Sequence, residues 1–316
     1  MPDQKQDQSA RLVRAYQSLE GLCCGDAFGE RFFLRKEVAI ALIEQRSVPA
    51  PPWVFTDDTM MAISIVATLE DWEGINPDCL AMSFAMHYDS CRGYGPAMHG
   101  LLTRIRARKG HWEEEAQALF GGEGSFGNGA AMRVAPVGAY FADDLELAVE
   151  HARRSALTTH RHPEAVAGAI AVAVASALAW QCAESRHLLT TREFLREICE
   201  RTPASYVRNA ILKASEMPKE TPVRQATSVL GNGSAVTAQD TVPFAVWSAA
   251  CHLHSYEDAL WGTVAGLGDR DTTCAMVGGI VVMQTGIRDI PKEWLDCREP
   301  IPAHMLKSPG LLSLPA

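Results

Sequence analysis

Apolar residues recur along most of this chain at the three- and four-residue spacing of helices, and convincing strand alternation is hard to find. The pattern predicts an all-α fold: a single compact multi-helix domain over residues 1–316, with its core at about 10–287. Residues 288–316 are rich in proline and predict an irregular tail. We expect helices over 10–23, 59–69, 77–90, 143–157, 191–200, 204–217, 243–254, 256–266 and 271–285, and another that Pro163 opens.

The segment between Glu164 and Glu184 carries no charge and is long enough to span a bilayer. It consists mostly of alanine with some valine, whereas membrane segments are richer in Leu, Ile and Phe. A helix that is apolar all round is also what the centre of a large helical protein requires. We therefore predict a buried core helix and no membrane span.

Composition excludes some classes of partner. The formal net charge of −9 argues against a broad nucleic-acid-binding surface, which would need a basic stripe. The nine cysteines form neither a disulfide framework nor a zinc-binding spacing, and the polar N-terminus lacks the apolar core of a signal peptide. We expect a cytoplasmic protein, and a monomer.

Two clusters of acids and threonines head predicted helices: TDDT at 56–59 and DRDTT at 269–273. One such side chain is enough to cap a helix, so capping alone would explain only part of each cluster. Adjacent carboxylates repel each other unless a cation lies between them or they face water. Because oxygen ligands suit Mg²⁺ or Mn²⁺, the four carboxylates could hold two divalent cations. At this point the two clusters could be either helix caps or metal ligands.

Two further segments could contact an anion. In GSFGNGAAMR, at 124–133, glycines would let the backbone approach a phosphate, although no Walker or dinucleotide-binding fingerprint is present. Arg133 could bind an anion or brace the loop. In TTHRHP, at 158–163, a histidine could contact a ligand or serve only as a hydrogen-bonded structural residue.

These segments, together with GLCCGDAFGE at 21–30 and in this order, resemble the ADP-ribosylglycohydrolase family. The resemblance spans residues of about 10 to 287 and implies an all-helical fold around a two-metal site holding Mg²⁺ or Mn²⁺. It implies a hydrolase that releases ADP-ribose from a protein side chain or another target. The metal ligands implied are Thr56, Asp57, Asp58, Asp269, Asp271 and Thr272, and the substrate-binding residues implied are Ser125, Gly127, Asn128, Gly129 and His160.

The catalytic base is where this chain departs from the family. Many relatives carry an acid four residues after the last glycine of GDAFG, and that position is Phe33 here. The nearest acid is Glu30, which could act as general base or pair with Arg31 or Arg35 on the surface. Asp57 and Asp58 are the other catalytic candidates, whereas we expect Asp26 to brace the loop.

Two rival functions use the same residues. A metal-dependent phosphohydrolase would cut the diphosphate of ADP-ribose and release AMP and ribose phosphate. A non-catalytic protein would only bind ADP-ribose, but every metal position that the resemblance implies is intact.

Overall fold

A computed structural model of the chain describes residues 2–107, 111–308 and 310. Within them there is no β-strand, only two isolated bridges, so the predicted all-α fold is confirmed. The helices are α1 Pro2–Glu30, α2 Lys36–Glu44, α3 Asp57–Trp72, α4 Pro77–Met86, α5 Pro96–Ala107, α6 Trp112–Gln117, α7 Ala135–Tyr140, α8 Leu145–Leu157, α9 Pro163–Ser185, α10 Thr191–Arg201, α11 Tyr206–Ser215, α12 Val223–Leu230, α13 Ala238–Cys251, α14 Tyr256–Val264, α15 Arg270–Thr285 and α16 Lys292–Cys297.

Helices α1 and α15 lie in backbone contact, and this contact positions the two ends that carry acids. A methyl group added to Gly25 would stand 2.2 Å from the carbonyl oxygen of Cys274, and one added to Gly29 would stand 2.2 Å from that of Arg270. No side chain fits at either position, so the glycines let the two backbones touch. The C-terminal turn of α1 is thereby held beside the N-terminus of α15.

The alanine-rich helix α9 occupies the interior. It is long and apolar enough to cross a membrane, but 83% of its most apolar window is buried inside the domain. It packs against α7, α8, α13 and α15 through small side chains. This burial is that of a core helix, as predicted.

Several predicted boundaries are wrong. Helix α13 begins at Ala238 rather than 243, so Pro243 lies inside the helix instead of in its first turn. Helix α4 ends at Met86 rather than 90. Helix α1 extends beyond 10–23 in both directions, and α2, α5, α6, α7 and α12 were not predicted.

The predicted tail is less irregular than expected. It contains α16, whose Trp294 is 1% exposed and stacks on Phe28 of α1 with ring centroids 4.4 Å apart. Because an indole buried in this way joins the core, the folded unit continues past residue 287. Residues 309 and 311–316 of this tail lie outside the described residues.

Candidate active site

A cavity of about 670 Å³ brings together residues that are far apart in the sequence. Its lining includes acids from both clusters together with the glycine loop. The predicted site residues that line it are Asp57, Ser125, Gly127, Asn128, Gly129, His160, Asp269, Asp271 and Thr272.

A second cavity of about 300 Å³ adjoins the first. Glu30 and Thr56 line it, and it shares Asp271 and Gly93 with the larger cavity. Asp58 lines neither cavity and is 1% exposed. The predicted site residues therefore form one connected region, in which Asp271 is shared between the cavity that Glu30 lines and the cavity that the glycine loop lines.

Asp26 holds the first acidic cluster in place. Its carboxylate accepts hydrogen bonds from the hydroxyls of Thr56 and Thr59, at 2.9 and 2.6 Å, and from the backbone N–H groups of both residues. The Thr56 hydroxyl also contacts Asp58 Oδ2 at 2.9 Å. Asp26 thus has a structural role, as expected, but it orients the start of α3 rather than a loop of its own, because residues 21–30 belong to α1; it lines neither cavity.

The second cluster is joined to the glycine loop. Asn128 donates a hydrogen bond from Nδ2 to Asp269 Oδ2 at 2.7 Å. At the first turn of α15, the backbone N–H of Thr272 donates to Asp271 Oδ1 at 2.8 Å. Because of this hydrogen bond, a movement of the loop would also affect the position of the Asp269 carboxylate.

Burial and mutual repulsion make this group of carboxylates electrostatically unfavourable. Burial, and then the neighbouring Asp26, raises the pKa of Asp57 to about 8 and raises that of Asp58 well above its usual value. Burial, and then Asp269, raises the pKa of Asp271 well above its usual value. Asp58 Oδ1 is buried without a hydrogen-bond partner. Since an oxygen-binding cation would relieve both the repulsion and this unsatisfied atom, the residues fit a divalent metal.

The acidic side chains of the two clusters do not converge on a single point in the structure. Among the residues that the structure describes, no three carboxylate, imidazole or thiol side chains stand where they could hold a metal. Asp58 and Asp269 are instead engaged by Thr56 and Asn128. A cation would have to draw these side chains in, with the threonine hydroxyls completing its oxygen ligands.

His160 supports the glycine loop. A methyl group added to Gly129 would lie 2.8 Å from the imidazole, and one added to Gly127 would lie 3.3 Å from it. Thr159 Oγ1 contacts His160 Nδ1 at 2.7 Å. Burial, and then Arg133, lowers the pKa of His160 to about 3, so the ring facing the cavity is neutral near pH 7.

Arg133 supports residues next to the site but does not line either cavity. Its buried guanidinium donates to the carbonyl of Ser155 at 3.0 Å and to the hydroxyl of Thr159 at 2.9 Å. It also lies 4.4 Å from the centre of the Phe84 ring. Of the two roles left open by the sequence, the structure supports bracing. His162 is likewise structural, because it caps α9 by accepting from the N–H of Glu164.

The state of His160 gives a pH-dependent stability. In the unfolded chain this ring has its ordinary pKa of 6.5, but in the folded protein its pKa is about 3. The unfolded state therefore binds more protons between these values, and stability falls as the pH falls through this window. At pH 5 the loss is about 2 kcal/mol.

Urea unfolding at pH 7 and pH 5 checks this expectation. His160→Gln should lose about 2 kcal/mol less than wild type between the two pH values. His254→Gln, which changes an exposed histidine, should behave like wild type. Equal losses in wild type and His160→Gln would contradict the assignment.

Two parts of the site were missed by the sequence argument. Gly93 and Tyr94 line the large cavity, and the short RGYGP run at 92–96 was the available signal. Glu299 contacts the segment before the first cluster, and nothing in its sequence neighbourhood indicated this.

Comparisons with known proteins agree with the fold and with the family resemblance. Residues 7–308 match the ADP-ribosylglycohydrolase family. The chain is 30% identical to ADP-ribosylhydrolase ARH3 of Bos taurus, covering 90% of this chain and 88% of that protein. It is 30% identical to ADP-ribosylhydrolase ARH3 of Homo sapiens, covering 76% and 73%. A solved structure described as an ADP-ribosylglycohydrolase-related protein complex matches with a TM-score of 0.64 and 21% identity, covering 96% of this chain and 97% of that one.

Proposed function

Because the chain belongs to the ADP-ribosylglycohydrolase family, we propose that it hydrolyses the bond between the distal ribose of ADP-ribose and an acceptor, with the help of two divalent cations, Mg²⁺ or Mn²⁺. One observation carries the proposal. Two acidic clusters more than 200 residues apart meet at a single cavity that a glycine loop also lines.

The two sides of the large cavity would divide the substrate between them. The diphosphate and a ribose would lie along Ser125–Gly129, where Gly127 and Gly129 place no side chain between the backbone and the cavity. The neutral His160 supports this loop without adding charge. The distal ribose would then reach the acidic side, next to Asp57 and Asp271.

The cations would be held by oxygen atoms of the two clusters, and when bound they supply positive charge that fixes the ribose and favours departure of the acceptor. Hydrolysis at the anomeric carbon passes through an oxocarbenium-like state. A carboxylate near the attacking water removes its proton, and the leaving acceptor takes one up. The proposed catalytic groups are Glu30, Asp57 and Asp58, and the proposed metal ligands are Thr56, Asp57, Asp58, Asp269, Asp271 and Thr272.

A product assay tests the proposal. The purified protein would be incubated with ADP-ribosylated substrates of several linkages and either Mg²⁺ or Mn²⁺, and the products separated chromatographically. Free ADP-ribose is the expected product. AMP with ribose phosphate would instead identify a phosphohydrolase, and tight binding of ADP-ribose without turnover on any linkage would identify a binding protein.

We further propose a cytoplasmic monomer. The cysteines from Cys23 to Cys297 are all free, which suits a reducing compartment. Fractionation of cells and sedimentation of the purified protein would test the two parts separately.

The glycine loop yields a prediction on binding. A side chain at Gly129 must displace His160, because even a methyl group would approach its ring to 2.8 Å. Gly129→Val should therefore weaken ADP-ribose binding at least about 10-fold, or 1.4 kcal/mol. Calorimetric titration measures the affinity and thermal unfolding measures the stability.

Gly100→Ala is the matched control, because Gly100 lies on α5, where an added methyl group meets only the mobile end of Arg104. It should bind ADP-ribose like wild type. Unchanged affinity in Gly129→Val would mean that the loop is only structural.

A further inference from the structure

The segment after α16 is fixed against the chain that leads into the first acidic cluster. Arg298 forms an ion pair with Glu20 of α1 at 2.6 Å, and both side chains are less than a tenth exposed. The backbone N–H of Trp53 donates to the carbonyl of Cys297 at 2.8 Å, and that of Glu299 donates to the carbonyl of Trp53 at 2.9 Å. The backbone position of Glu299 is thus determined without any help from its own side chain.

The Glu299 side chain instead contacts the residues just before the cluster. Its Oε1 accepts the backbone N–H of Phe55 at 2.8 Å and is also paired with the Arg92 guanidinium. The same guanidinium donates to the carbonyl of Phe55 at 2.8 Å and lies 4.3 Å from the centre of the Phe55 ring. Both polar groups of the Phe55 backbone are therefore held by one pair of side chains.

The backbone of Arg92, rather than its side chain, contacts the candidate ligand Asp57. The carbonyl of Arg92 accepts the backbone N–H of Asp57 at 2.7 Å. Next to Arg92, Gly93 lines both cavities. Arg92 is thus hydrogen-bonded to Phe55 and to Asp57, the residues on either side of Thr56. Glu299 adds a further hydrogen bond to Phe55.

We propose that Glu299 and Arg92 are positioning residues that fix Thr56 and Asp57 for metal binding, an inference that rests on the proposed function. Carboxylates that repel each other need a rigid backbone to be presented together to a cation. Groups that orient metal ligands typically change metal affinity by about 10- to 100-fold when they are lost. The tail would thereby belong to the metal site, although it holds no ligand itself.

Isothermal titration of the full-length protein with Mn²⁺ tests this inference without relying on turnover. Glu299→Gln keeps the shape of the side chain but removes its charge, and should weaken Mn²⁺ affinity by about 10- to 100-fold. Its unfolding midpoint in EDTA should stay close to that of wild type, since Arg298 and Trp294 still anchor the tail. Arg92→Lys keeps the charge but loses the planar guanidinium group, and should also weaken Mn²⁺ affinity.

Glu293→Gln is the control, because Glu293 lies exposed on α16 in the same part of the chain. It should bind Mn²⁺ like wild type. Wild-type affinity in Glu299→Gln, with or without a lower unfolding midpoint, would overturn the inference and leave the proposed function intact. Failure of wild type itself to bind either Mn²⁺ or Mg²⁺ would overturn both. If Glu299→Gln does not fold, unchanged affinity in Arg92→Lys decides against the inference.

Discussion

Replacing Asp271 by alanine should lower the rate of ADP-ribosyl hydrolysis by about 1000-fold or more, the upper end of what the loss of one electrostatic contact costs an enzyme. Asp271 lines both cavities, so it stands between the proposed ADP-ribose site and Glu30. No other carboxylate occupies that shared position among the residues described. Treatment of wild type with EDTA should cause a loss of similar size, and added Mg²⁺ or Mn²⁺ should restore wild type only.

Stability should change in the opposite direction. Burial and the neighbouring Asp269 raise the pKa of Asp271, which means that its charged form is unfavourable in the folded, metal-free protein. Asp271→Ala removes this repulsion, so its unfolding midpoint in EDTA should equal or exceed that of wild type.

Asp296→Ala, which changes an exposed acid of α16, provides the control and should retain full activity. Wild-type turnover in Asp271→Ala, or in EDTA, would rule out a mechanism that depends on the two clusters. Loss of activity together with a large fall in the unfolding midpoint would mean that Asp271 serves the fold.

Much of this architecture was predictable from the sequence because helices are local. The spacing of apolar residues and the capping of α10 by Thr190 require only neighbouring residues. The start of α13 was misplaced because proline is favoured in first turns, while Pro243 is accommodated one turn further into the helix. Propensity rules rank such positions but do not exclude them.

The site was predictable in its members but not in its arrangement. TDDT and DRDTT are recognisable as oxygen-rich clusters, yet their meeting depends on the contact of α1 with α15 at Gly25 and Gly29. The role of Glu299 depends on a link to Phe55 that spans 244 residues. Contacts of this kind follow from packing, which no local pattern encodes.

The environment of Glu30 separates the two roles that its sequence left open. Glu30 is half-buried and lines the smaller cavity together with Phe33 and Asp271. Among the described residues no hydrogen bond or ion pair joins it to Arg31 or Arg35, although the nearby charge of Arg31 lowers the pKa of Glu30 in part. Burial, and then Asp26, raises its pKa, so its carboxyl group holds a proton more readily than an exposed glutamate does. These features favour proton transfer over a surface ion pair.

The two aromatic residues near Glu30, Phe32 and Phe33, have different environments in the structure. The sequence predicts that Phe32 and Phe33, which follow Glu30 closely, could both shield the reacting ribose from water. Phe32 is fully buried and packs against Phe28 and Trp261, so this expectation is wrong for it. Phe33 lines the smaller cavity, and its ring lies 5.0 Å from the guanidinium of Arg270. Of these two rings, only that of Phe33 lies where it could limit the access of water to Glu30.

Glu30→Gln should therefore retain binding of ADP-ribose and Mn²⁺ but lose about 100- to 10,000-fold in turnover, the usual cost of removing a general acid or base. Glutamine preserves the size of the side chain but cannot take up or release the proton, so the loss would reflect proton transfer. Single-turnover kinetics measure the chemical step, and calorimetry measures both affinities. Glu37→Gln, an exposed acid on α2, should turn over like wild type. Turnover of Glu30→Gln within about threefold of wild type, far below the range for a general base, would exclude Glu30 and transfer this role to Asp57 or Asp58.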